Sequence, residues 1–171
     1  MKITLRPLGN VADEIMENIK DKVGRIFGCP VEIEAGFGDL AQAYNPERKQ
    51  YLSSKLLAAF GEAQRGERVV GIAEVDLYVP RLNFVFGEAD IGSGTAIVSL
   101  YRLKPEYYGS APNEALFLER ATKEIVHELG HTFGLGHCSN NKCVMHFSNG
   151  LADTDLKEAR FCSMCRPKII L

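Results

Sequence analysis

No segment of this chain carries the roughly 18 consecutive apolar residues that a membrane-crossing helix needs. The opening residues, MKITLRPLGN, put charges and a proline where a secretory leader would hold its apolar run, so a cytoplasmic protein without a membrane partner is expected. Neither sign of charge dominates, with 20 Lys and Arg against 22 Asp and Glu and a formal net charge of -2. Without a basic run to track phosphates, nucleic acid is not an expected partner. Repeats, low-complexity tracts and linkers are missing too. What is there, 171 residues of which 46% are hydrophobic and 25% charged, suits one globular domain with a sizeable core and is too short for two of ordinary size. Histidine is scarce and unevenly spread: three of the four fall between residues 127 and 137, and four of the five cysteines follow at 138 or beyond.

The apolar pattern orders the elements. Residues 2 to 6 read as a strand, and Asn10 is a candidate cap for a helix with Val11, Ile15, Met16, Ile19, Val23 and Phe27 at steps of mostly three and four. Gly28, Cys29 and Pro30 stop it, and Val31, Ile33 and Ala35 alternate as a strand. Asn45 followed by Pro46 predicts a second helix carrying Leu52, Leu56, Ala59 and Phe60. Three apolar runs come next: VVGIAEV and NFVFG read as sheet strands, TAIVSLYRL follows, and the glycine-rich GEADIGSG before it reads as a loop. Strands alternating with helices imply a partly parallel sheet of four or five strands. Asn113 can cap a helix with Leu118, Ala121, Ile125 and Leu129 on its buried stripe. After residue 138 only Met164 to Leu171 shows further helical periodicity, so that region needs another source of order.

That source, and the chemistry, lie in HELGHTFGLGHC, residues 127 to 138. Residues four apart share a helix face, so His127 and His131 can hold one ion, with the Glu128 carboxylate beside it as a base for an activated water. Gly134 can end the helix in a left-handed turn and bring His137 round as a third nitrogen. Three imidazoles leave a tetrahedral ion one open position, the mark of a catalytic rather than a structural zinc. The plainer alternative is three solvated or core histidines. Cys138, Cys143, Cys162 and Cys165 form two short knuckles around a loop, the pattern that wraps a closed tetrahedral ion. Ion binding there can order a segment that buries little by itself. Two disulfides or a redox centre are the alternatives, disfavoured by a reducing compartment. Because Cys138 directly follows His137, loss of one ion is expected to weaken the other site. Cys29 fits a small buried hydrophobe.

H-E-x-x-H-x-x-G-x-x-H with a methionine downstream is the metzincin pattern, and HELGHTFGLGHCSNNKCVMHFSN followed by FCSMC resembles the archaemetzincin family of zinc metallopeptidases. The resemblance rests on about forty residues of high specificity, and LNFVFGEA and the element order extend it. It implies that His127, His131 and His137 bind a catalytic zinc, that Glu128 is the general base, that Met145 forms a Met-turn beneath the metal, and that Cys138, Cys143, Cys162 and Cys165 hold a second zinc. The implied fold is α+β and zincin-like, with α/β-like order in its first part: a twisted mixed sheet, an active-site helix and a small zinc-stapled end. Residues 1–136 and 137–171 would be its two parts within one catalytic domain, flanking a cleft. An antiparallel edge strand above the zinc would pair with extended substrate, and TAIVSLYRL stands in the expected place.

One position departs from part of the clan: Phe147 stands where some metzincins have a tyrosine, leaving Tyr101, Tyr107 and Tyr108 as candidate phenols or as simple aromatic packing, and His146 as a structural residue. The implied activity is hydrolysis of peptide bonds in a peptide or protein substrate, and a monomer is expected. Two rivals stand: a zincin-fold protein that only binds peptides, and a three-histidine metal-dependent endoribonuclease. Glu128, the cysteines and the near-neutral charge favour the peptidase over the nuclease.

Overall fold

The computed structural model describes residues 1–36 and 39–169. Strand β1 (Lys2–Leu8) leads into helix α1 (Asp13–Phe27) and strand β2 (Val31–Ile33). Two short strands follow, β3 (Tyr44–Asn45) and β4 (Gln50–Leu52), then helix α2 (Ser53–Ala58). Strands β5 (Glu67–Ala73), β6 (Leu77–Tyr78), β7 (Gly87–Asp90) and β8 (Thr95–Ser99) come before the long helix α3 (Glu114–Thr132) and the short α4 (Leu151–Leu156). The main sheet runs β2-β1-β5-β8-β7, with the first four strands parallel and β7 antiparallel at the edge. A small sheet β3-β4-β6 lies apart. A mixed sheet of five strands is thus present, as expected.

Period-two alternation sends side chains of each central strand into two cores. Ile3, Leu5, Val70, Ile72, Ala96 and Val98 pack toward α1 and α3. Leu8, Val69, Ala73 and Ile97 pack toward Leu56, Leu57 and Phe60 at α2. Helix α1 buries Met16, Ile19, Val23 and Phe27 and ends at a left-handed Gly28, as its spacing predicts. Its start differs: Ala12 takes the N-cap position without a side-chain bond, and Asp13 and Glu14 in the first turn favour the helix dipole instead of an Asn10 cap.

Four expectations need correction. Asn45 does not cap a helix; its Oδ1 accepts from the backbone of Glu47 (3.0 Å) and Arg48 (3.2 Å), making a turn between β3 and β4, and Lys49 is left-handed at φ 55°. Helix α2 therefore begins only at Ser53. NFVFG is not a regular strand: Arg48 donates to the carbonyls of Leu82 (2.8 Å) and Asn83 (3.0 Å), while Val85 makes an isolated bridge to Leu77. The stretch read as a loop, GEAD, is the antiparallel edge strand β7, and TAIVS is interior, paired on both sides. Finally, the C-terminal periodicity yields only a 3-10 turn at Arg166–Lys168, with Ile170 and Leu171 outside the described residues.

Candidate functional site

Asn113 caps α3 as its position predicts, its Oδ1 accepting from Leu116 N at 3.0 Å. Leu118, Ala121, Ile125 and Leu129 face the core, which leaves Glu124, His127, Glu128 and His131 on one other face at steps of three, four and seven. All four line a cleft of about 490 Å³. The helix ends at Phe133, and Gly134 at φ 82° turns the chain so that His137 reaches the same cleft.

The three imidazoles converge, with ring centroids 4.6, 5.4 and 5.0 Å apart and one nitrogen of each within 4.8 Å of the others. Backbone carbonyls select their tautomers. His127 Nδ1 donates to Val144 O and His131 Nδ1 donates to Leu135 O, each at 2.7 Å. Both Nε2 atoms are left with lone pairs, and these face each other at 3.1 Å. Two lone pairs at that distance repel unless a proton or a metal cation is shared between them. Nitrogens about 2.0 Å from one tetrahedral zinc stand roughly 3.3 Å apart, so the donor set fits that ion. Burial also lowers the pKa of all three rings, most strongly that of His127, and keeps them in the neutral form that ligates metal.

The cysteines converge as well. The Sγ atoms of Cys138, Cys143, Cys162 and Cys165 lie within 4.8 Å of one another, and Cys138 and Cys162 are 3.8 Å apart. Four sulfurs about 2.3 Å from one ion would stand roughly 3.8 Å apart. Burial pushes the Cys143 and Cys165 thiols up, an expense that a shared cation removes. Two peptide steps join the clusters. His137 is followed by Cys138, and Cys143 is followed by Val144, whose carbonyl holds His127. Cys138 N donates to Met145 O at 2.9 Å and His146 Nδ1 donates to Cys138 O at 3.0 Å, so His146 has a structural place.

Met145 is fully buried beneath α3, where a Cβ on Gly130 would come within 2.3 Å of its Sδ. The same economy operates above the helix. A Cβ on Gly87 would lie 2.5 Å from Glu128 Cγ and 2.8 Å from Glu128 Oε1, so strand β7 admits the carboxylate only because that position has no side chain. Burial, with Glu124 nearby, raises the Glu128 pKa to about 8, a rise that a cation at the imidazoles would oppose. Spacing did not point to Gly87, Glu124 or Lys157 as part of this site. For Glu124 a signal existed, since it stands one helical turn before Glu128 on the same face. Lys157, wholly buried, pairs with Glu124 Oε1 at 3.0 Å from a segment without apolar periodicity.

Other candidates lie elsewhere. Tyr101, Tyr107 and Tyr108 pack edge-to-face in a row, with ring centroids 5.3 and 4.9 Å apart, and do not line the cleft, whereas Phe147 does, 4.9 Å from the His137 ring. Cys29 packs half-buried against the core, away from the other thiols.

Residues 8–170 match the model of peptidase family M54. The chain is 44% identical over 169 residues to the archaemetzincin of Methanocaldococcus jannaschii, covering 99% of this chain and 93% of that protein. Among solved structures it resembles a zinc-dependent peptidase from Methanocorpusculum labreanum, with a TM-score of 0.89, 29% identity and coverage of 98% and 100% of the two chains. It also resembles the archaemetzincin of Archaeoglobus fulgidus complexed with malonate, with a TM-score of 0.86, 38% identity and coverage of 99% and 100%. Fold and site together define a zinc metallopeptidase, zincin-like in architecture, whose substrates are peptides or proteins. Within that class, the chain belongs to peptidase family M54, the archaemetzincins.

Proposed function

We propose that His127, His131 and His137 hold a catalytic zinc, that Glu128 is the general base, and that Cys138, Cys143, Cys162 and Cys165 hold a second, structural zinc. The observation that carries this reading is the pair of Nε2 lone pairs facing at 3.1 Å, with both tautomers set by backbone carbonyls. Zinc bound there supplies a Lewis acid that polarises the scissile carbonyl and acidifies water. Glu128 takes a proton from the attacking water and delivers it to the departing amine. Gly87 leaves the space that keeps this carboxylate in the cleft. Strand β7, which pairs only with β8 among the described residues, offers its other edge to an extended peptide. Met145 packs under the helix and takes no part in proton transfer.

On this reading residues 1–136 supply the sheet, β7 and the helix, and residues 137–171 supply the third imidazole and the thiols, as parts of one catalytic domain. The same reading makes the protein a cytoplasmic monomer. Its near-neutral charge supports the absence of nucleic acid among its partners. Among the described residues no helix is long and apolar enough to cross a membrane.

The test is an unbiased peptide-mixture digest by zinc-loaded protein, read by mass spectrometry beside Glu128→Gln. The variant is expected to retain two zinc ions and lose about a hundredfold to ten-thousandfold in hydrolysis. Retained turnover would remove Glu128 from its role, and a zinc count of one would remove one of the two sites.

A further inference from the structure

The face of α3 that carries His127, Glu128 and His131 continues one turn further, to Glu124. About 6 Å of helix separates Glu124 from Glu128, a distance that one substrate side chain can span. Glu124 is 2% exposed yet lines the cleft, and its two oxygens are used unequally. Oε1 accepts from Thr154 Oγ1 at 2.8 Å and meets Lys157 Nζ at 3.0 Å. Oε2 has no hydrogen-bond partner among the described residues. A second polar atom beside the cleft lacks a partner: Ser148 lines it, and Ser148 Oγ is buried and unpartnered among the described residues.

A buried hydroxyl without a partner is costly, and a carboxylate oxygen that no protein donor occupies at the wall of the same cleft is free to take one from a ligand. The same cleft is lined in part by apolar side chains, among them Val85 and Phe86, against which an aliphatic stem can lie. We propose that Glu124 and Ser148 form the floor of a specificity pocket selecting substrates whose residue beside the scissile bond ends in N–H donors, such as Lys, Arg or Gln. This rests on the peptidase reading above and adds the substrate class to it. Lys157 is a positioning residue in this scheme. Its ammonium ion-pairs with Oε1 without making a hydrogen bond, and together with the Thr154 hydroxyl it keeps Glu124 in one orientation and leaves Oε2 for the substrate. An ionised Glu side chain, similar in size to Gln, would bring acceptors against an acceptor and be rejected.

The experiment compares four peptides identical except for Lys, Gln, Met or Glu at the position beside the cleaved bond. With zinc-loaded protein, kcat/KM for the Lys and Gln peptides is expected to exceed that for Met by about tenfold to a hundredfold, with Glu lowest. In Glu124→Gln the ratio of Lys to Met should fall to near one. The double variant Glu124→Gln with Lys157→Met, which leaves no orphaned ammonium, should give the same ratio, with folding followed by circular dichroism. Binding of the same peptides to zinc-loaded Glu128→Gln, read by fluorescence anisotropy, gives a second readout. Equal treatment of Lys and Met by the parent, or a preference that survives both variants, overturns the pocket. If no peptide is cut, the peptidase reading fails, and the binding series alone then decides: a Lys preference lost with Glu124 sustains the pocket, and equal affinities overturn it.

Discussion

The sheet half and the cysteine half of this molecule are held together by different physics. Around β5, the side chains Val70, Ile72 and Ala73 are wholly buried, as are Ile3, Leu5, Ile97 and Val98 on the neighbouring strands. After residue 137 the buried set is short and mixed: two thiols, a lysine and a threonine join Val144, Met145, Phe161 and Ile169. Area removed from water is non-directional and spreads its effect over many contacts. Thiols around an ion, or an arginine fork on a carboxylate, act at single points. Position of the site follows from the second kind of force and survival of the fold from the first.

The largest expected effect separates the two most sharply. With the thiols holding zinc as proposed, chelation, or Cys162→Ser, would remove a metal contribution of order 10 kcal/mol and should expose backbone amides of residues 138–169 to hydrogen exchange while β5 and β8 stay protected. The histidine site should lose affinity in the same variant, since His127 leans on Val144 and His137 on Cys138. Unchanged zinc affinity at the histidines would refute that coupling, and simultaneous loss of protection in β5 would make the halves one cooperative unit.

A smaller effect comes from the sheet side. Ile72→Ala should lower global stability by about 2–5 kcal/mol, measured by denaturant unfolding, through a cavity between the sheet and its helices. Zinc content should be preserved at temperatures below the transition. Smaller again is Arg120→Ala. Its guanidinium forks onto Asp155 with two 2.7 Å bonds, tying α4 to α3, and its loss should cost about 1–3 kcal/mol, seen first as faster exchange in α4. A shift of the whole exchange profile instead would show that α4 is no local clamp.

Where apolar periodicity was strong, the order of elements was legible. Helices α1 and α3 and strands β1 and β5 bury the residues their spacing selects, and the histidine and cysteine clusters form from spacing alone. The rest was hidden for identifiable reasons. GEAD carries glycine and alanine toward the cleft and acids away from it, so it alternates as a strand does but without the large or β-branched apolar residues that mark one. Asn45 followed by Pro46 has the form of a helix start, but Asn45 closes a turn with its own side chain and Gln50 reaches Asp76 at 3.0 Å. Helix α4 binds through Thr154 and Asp155, polar residues that a search for buried stripes discards. The pairing of Glu124 with Lys157 joins residues far apart in the chain, which local periodicity does not connect.

Gly87 has a bearing on how this chain can diverge. The volume that any larger residue would fill there is already taken by Glu128 Cγ and Oε1 and by the carbonyl of Ile97. Mutational drift is therefore closed at position 87 twice over, once by the glutamate and once by a backbone carbonyl that no change at 128 removes. A lineage that keeps this edge strand but no longer needs the base would be expected to relax at 128 alone, and to leave the glycine at 87 as the record of the strand rather than of the chemistry.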